Sequence, residues 1–104
     1  MLKGHLDAIV LAALEAEPAH GYAIIETIKQ RSAGTFDLPE GTVYPALYRL
    51  ERKGFIEAEW GVSETGREVK FYRLTTAGRA RLKVELAQWT HFTTAVAKVL
   101  YESR

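Results

Sequence analysis

The 104-residue sequence has no cysteine, which excludes a disulfide framework and thiolate metal sites. It has no apolar run long enough to span a bilayer. The most apolar stretch, in MLKGHLDAIVLAALEAEP, is too short and carries Asp7. The same stretch lacks the basic opening and small-residue cleavage site of a signal peptide, so a cytoplasmic location without membrane association is expected. Internal repeats and low-complexity tracts are missing, and so are the GxSxG, HExxH, Walker and GxGxxG patterns of common enzyme classes. His5, His20 and His91 do not stand at helical ligand spacing with another histidine or a carboxylate, so surface or capping roles are expected. No metal, cofactor or enzymatic activity is therefore expected.

Excess charge is also scarce, with a formal net charge of +1. Its distribution is less even. Residues 1–40 hold three basic and six acidic groups, residues 41–83 nine and five, and residues 84–104 two of each. The middle of the chain is thus the candidate footprint for an anionic polymer, the alternative being an ordinary solvated surface. Hydrophobic residues at 47% and charged residues at 26% describe a globular chain, and the length fits one domain that gains from a second subunit.

Leu2, Leu6, Ile9, Val10, Ala13 and Leu14 form one face of a first helix, which Glu17-Pro18 is expected to stop. A second helix fits His20 to about Arg31, with Ser32-Ala33-Gly34 as its exit. A third lies within residues 40–54, with Val43, Ala46, Leu47 and Leu50 on one stripe and Gly54 at its C-terminal end. Pro45 should fall near the first turn or bend that helix. In FIEAEW, Ile56, Ala58 and Trp60 alternate with Glu57 and Glu59, which predicts a half-buried strand. After the loop GVSETG, REVKFYRL is the return strand of a hairpin; Val69 and Phe71 compete with Tyr72 and Leu74 for its inner face. Thr75 is expected as the N-cap of a long last helix, Thr76 to about Glu102. On it Leu82, Leu86, Trp89, Thr93, Val96 and Leu100 recur at spacings of four and three, a heptad seam that Phe92 and Val99 widen.

The resulting fold class is mainly α with a small β-hairpin: a winged helix-turn-helix followed by a long C-terminal helix. In that plan one helix enters the major groove of DNA and the hairpin, or wing, lies along the backbone. The face of the third helix opposite Val43, Leu47 and Leu50 holds Thr42, Tyr44, Pro45, Tyr48, Arg49 and Arg52. Their hydroxyls and guanidinium groups suit phosphates and base edges, and Arg67 and Lys70 add basic groups on the hairpin.

The runs GYAIIETI, FDLPEGTVYPALYRLERKGFIEAEW and KFYRLTTAGR, in this order and spacing, resemble the PadR family of bacterial transcriptional regulators over nearly the whole chain. The compact length is similar to the short subgroup with one helix after the wing. The resemblance implies a winged-helix domain over residues 1–75 and a dimerisation helix over residues 76–104. It implies a homodimer on double-stranded DNA with a pseudo-palindromic operator, usually a repressor released by a small aromatic or amphipathic effector. Tyr22 would contact the DNA backbone. Thr42, Tyr44, Tyr48 and Arg49 would lie on the recognition helix, with Arg67 and Lys70 on the wing. Trp89 matches a tryptophan that lines a cavity between subunits in some short members; Leu86, Thr93, Ala8 and Ala12 would border it. The seam Leu82, Leu86, Trp89, Phe92, Val96 and Leu100 would form the dimer interface. Two alternatives stay open: Trp89 as an interface residue without a ligand, and a winged helix that binds protein without specific DNA binding.

Overall fold

The computed structural model describes residues 4–102. Leu2, read above as part of the first apolar face, lies outside them. Seven elements follow in order: α1 (Leu6–Ala13), β1 (Ala19–His20), α2 (Gly21–Arg31), α3 (Glu40–Arg52), β2 (Ile56–Val62), β3 (Glu68–Leu74) and α4 (Thr76–Tyr101).

α1 buries Leu6, Val10, Leu11 and Ala13. It ends before the expected stop at Glu17-Pro18, because the Leu14 amide already closes a turn onto the Leu11 carbonyl at 3.1 Å while the Leu14 side chain stays in the core. α2 is capped by His20, whose Nδ1 accepts the Ala23 amide at 3.3 Å, satisfying one of the orphan donors of a helix start. Pro45, expected near the first turn or at a bend, lies in the second turn of α3. Having no N–H, it leaves the Gly41 carbonyl without its helical donor, on the exposed side of the helix.

The end of α3 is a Schellman motif. Gly54, at φ +79°, donates to the Glu51 carbonyl and Phe55 donates to the Leu50 carbonyl, each at 3.0 Å. Thr75 then ties three elements together. Its hydroxyl donates to the Gly54 carbonyl at 2.6 Å and accepts the Gly78 amide at 3.0 Å as the N-cap of α4. Its own amide donates to the Phe55 carbonyl at 3.1 Å. Gly78 is needed there, since a Cβ at this position would run into the Phe55 backbone.

The expected hairpin is present and is one strand larger. The sheet is antiparallel with order β1-β3-β2; Ala19 and His20 pair with Tyr72 and Phe71. On the other side of β3, Ile56 faces Leu74, Ala58 faces Tyr72 and Trp60 faces Lys70. The open choice for β3 resolves in favour of Tyr72 and Leu74, which join the core, while Val69 and Phe71 are half-buried on the other face. On β2 the inward reading holds for Ile56 and Ala58 and fails at Trp60, which is 64% exposed. The hairpin has by then run past the edge of the core.

The core joins α1, α2, α3, the sheet and the first turns of α4 through Val10, Leu11, Ile24, Val43, Leu47, Leu50, Ile56 and Leu82, among others. Leu82 therefore corrects one sequence expectation. It is only 3% exposed within the single chain, so it packs inward and is not available to a second subunit. Past it α4 turns most of its surface to solvent while Trp89 still meets His5 beside α1, and the molecule measures 56 Å along its longest axis.

Candidate nucleic-acid interface

The start of α2, the start of α3 and the hairpin surround one open groove. Tyr22, Glu40, Tyr44, Trp60, Arg67 and Lys70 line it, together with His20, Gly21, Tyr72 and the loop residues Ser63, Glu64 and Thr65. Tyr44 reaches back from α3 onto Gly21, and any side chain at Gly21 would collide with its ring. Burial and the nearby Glu40 raise the Tyr44 phenol above its usual pKa, so its hydroxyl stays protonated and able to donate. The Tyr22 hydroxyl donates to Glu40 Oε2 at 2.9 Å; that bond, with the carboxylate charge behind it, raises the Tyr22 pKa as well.

The wing supplies the cations. Arg73 is neutralised across the hairpin by Glu57 at 2.8 Å and Glu59 at 3.5 Å. None of the ion pairs found among the described residues involves Arg67 or Lys70. Lys70 instead holds its ammonium 5.8 Å from the centre of the Trp60 ring. Around the tip the Ser63 amide donates to the Arg67 carbonyl at 2.8 Å, and Gly66 takes the left-handed turn position at φ +82°.

Of the sequence-derived contact residues, the groove brings together Tyr22, Tyr44, Arg67 and Lys70. The rest of the α3 set lies outside it. Tyr48 is exposed on the outer face of the helix, with the Arg52 guanidinium 5.6 Å from its ring centre. Arg49 is also on that face but is turned toward α1, where its Nη2 pairs with Asp7 Oδ1 at 3.1 Å. An exposed pair of this kind contributes only about 0–1 kcal/mol, so it holds Arg49 loosely. Thr42 is half-buried at the edge of the face. Glu40 and Trp60 are groove residues that sequence reasoning passed over. Glu40 stands before the apolar stripe of α3, and Trp60 follows an inward alternation that its burial does not obey.

The second candidate surface is the outer stretch of α4. Leu86, Trp89, Phe92, Val96 and Leu100 are 38–55% exposed in the single chain. The Trp89 ring meets the His5 ring edge to face at 4.7 Å, with Phe92 6.0 Å from Trp89. His5 is thus the α1-side neighbour of Trp89, a residue the sequence pattern did not single out. Ala8 and Ala12 are half-buried on α1, and the Ala12 carbonyl accepts Arg31 Nη1 at 3.2 Å. The Thr93 hydroxyl is engaged within its own helix, donating to the Trp89 carbonyl at 2.9 Å.

A family model described as the transcriptional regulator PadR-like family matches residues 10–84. An uncharacterized protein of Lysinibacillus sphaericus is 36% identical over 89 residues, covering 86% of this chain and 82% of that one. Among solved structures, a transcriptional regulator from Clostridium thermocellum superposes with a TM-score of 0.84 at 29% identity, covering 93% of this chain and 91% of that one. A PadR-like transcriptional regulator from Bacillus cereus gives 0.85 at 28% identity, covering 97% and 96%.

Proposed function

The chain belongs to the PadR-like family of transcriptional regulators, a family of regulators and not of enzymes, and from that premise we propose that it is a cytoplasmic, homodimeric repressor. It binds a pseudo-palindromic operator through α3 and the wing and leaves it when a flat aromatic or amphipathic effector enters beside Trp89. The observation that carries the DNA reading is the groove between α3 and the hairpin. There two cations outside the ion pairs found among the described residues, Arg67 and Lys70, face the phenol groups of Tyr22 and Tyr44 across an open gap. Phosphates are neutralised by such cations, and hydroxyls add hydrogen bonds that set register. Tyr44 and Tyr48 on the exposed face of α3 supply groups for base edges or backbone.

The dimer reading rests on α4. A strip from Leu86 to Leu100 leaves six large apolar side chains exposed, Val99 among them, a surface that pairing with a second copy would cover. Because Leu82 belongs to the core, the dimerisation segment proper begins at Leu86. No helix among the described residues is long and apolar enough to cross a membrane.

Fluorescence anisotropy with a labelled duplex from upstream of the chain's own gene tests the DNA reading. Arg67→Ala and Lys70→Ala are expected to weaken binding to all duplexes alike and each to reduce the salt slope by about 1. Tyr44→Ala is expected to reduce discrimination between duplexes. Wing variants that change sequence preference while Tyr44→Ala does not would reverse these roles. Wing variants that leave binding untouched would remove the groove from the interface.

A further inference from the structure

We propose that Trp60 is a DNA-contacting residue of the wing, its indole covering deoxyribose next to the phosphate that Lys70 neutralises. This rests on the DNA reading of the groove. Ile56, Ala58 and Trp60 share one face of β2, and the first two pack on the domain. At Trp60 the same face has passed the rim of the core, and the indole stands 64% exposed in the groove that also holds Tyr22, Tyr44 and Arg67. An indole left exposed in a groove beside a cation is a flat apolar surface available to a partner.

The cross-strand register explains what the ring is beside. Trp60 pairs with Lys70, whose ammonium lies 5.8 Å from the ring centre. Charge and flat apolar surface are therefore presented together, and a nucleic-acid backbone alternates anionic phosphate with apolar sugar on the same scale. The indole N–H adds a donor that a phosphate oxygen can accept. The other cations nearby agree with this occupant: Arg67 lines the same groove. The two carboxylates there, Glu40 and Glu64, disfavour an acidic protein surface and a nucleic acid equally, so they do not redirect the choice.

The contact has a signature separate from charge. Covering sugar releases no condensed counterions, so losing the indole lowers affinity without changing its salt dependence. Losing Lys70 changes both. The probe is a mixed-sequence duplex about three helical turns long, used with the full chain labelled with 5-fluorotryptophan. Two fluorine resonances are expected, one for each tryptophan, and Trp60→Phe identifies that of Trp60.

On adding duplex, the Trp60 resonance is expected to shift and to lose most of its solvent isotope effect as water leaves the ring. Trp60→Ala is expected to weaken binding roughly tenfold at an unchanged salt slope, with Trp60→Leu retaining part of the affinity. A Trp60 resonance that keeps its solvent exposure while Arg67→Ala and Lys70→Ala weaken binding overturns the proposal and spares the groove. A slope that falls in Trp60→Ala as it does in Lys70→Ala also overturns it, reducing the indole to a support for the lysine. If the wing variants and the Trp60 resonance are all indifferent to DNA, the groove reading fails together with the proposal.

Discussion

Tyr22 and Glu40 are joined across the gap between α2 and α3 by a hydrogen bond of 2.9 Å, phenol to carboxylate. The bond places a negative charge at the start of the candidate recognition helix, inside a groove whose cations come from the wing. Glutamine at position 40 keeps an acceptor for Tyr22 and removes the charge. Glu40→Gln is therefore expected to raise affinity for duplex DNA several-fold at low salt, across sequences, because like-charge repulsion with phosphate is relieved. Anisotropy titrations at two salt concentrations check it. An unchanged affinity would mean that Glu40 points away from the bound duplex.

Leu82 and Leu86 stand one turn apart on α4 and do different work. Leu82 is 3% exposed and Leu86 is 49% exposed. Leu82→Ala is expected to lower folding stability by about 2–5 kcal/mol, through lost burial and the cavity left behind. Leu86→Ala is expected to change the fold of one subunit by no more than about 0.5 kcal/mol, and Leu86→Asp to weaken association by placing an unpaired charge in the seam. Chemical denaturation and sedimentation, run on all three variants, separate the two effects. A Leu86→Asp protein that remains a dimer would remove α4 from the interface.

Alkaline pH probes the core behind the groove. Burial, with smaller contributions from Glu51 and Tyr44, raises the Tyr72 phenol above its usual pKa of 10.0. The folded state then holds this proton more tightly than the unfolded state does. Its contribution to stability is complete below pH of about 10 and is lost as pH rises from there through the folded value. Denaturation midpoints measured upward from pH of about 9 are expected to fall less steeply in Tyr72→Phe than in the parent. Equal slopes would show that Tyr72 does not contribute to the loss.

Much of the fold was legible because its signals are local. Thr75 and Gly54 announce helix ends by chemistry that needs only a few neighbouring residues, and the stripe Val43, Ala46, Leu47 and Leu50 is buried as its spacing predicts. What was not legible depends on where the core stops. Trp60 continues an alternation that is inward at Ile56 and Ala58, yet the domain beneath it has ended. Leu82 opens the heptad seam by its spacing, yet it belongs to the core of the single chain. β1 spans two residues, Ala19 and His20, too few to carry a period. The tie between Arg49 and Asp7 joins residues 42 positions apart, a distance over which no local pattern operates.

Trp89 tests the effector part of the proposal. In a Trp60→Phe background Trp89 is the remaining tryptophan, and its ring already stacks edge-on with His5 at 4.7 Å. Titration with flat aromatic compounds is expected to quench its fluorescence and to lower DNA affinity over the same concentration range, since a ligand shifts the equilibrium only by its differential affinity for the two states. Saturable quenching with DNA affinity unchanged would make the site an incidental pocket. An absence of quenching across a broad panel would leave Trp89 as an interface residue.

The most direct test of the central claim, that α3 and the wing of a two-fold dimer read operator DNA, is selection of bound sequences from random duplex DNA by the full chain. The expected result is one enriched imperfect palindrome, its half-sites about one helical turn or a multiple of it apart, with the enrichment weakened in Tyr44→Ala. Recovery of unenriched duplexes, or of a single unrepeated half-site bound by one subunit, would contradict it.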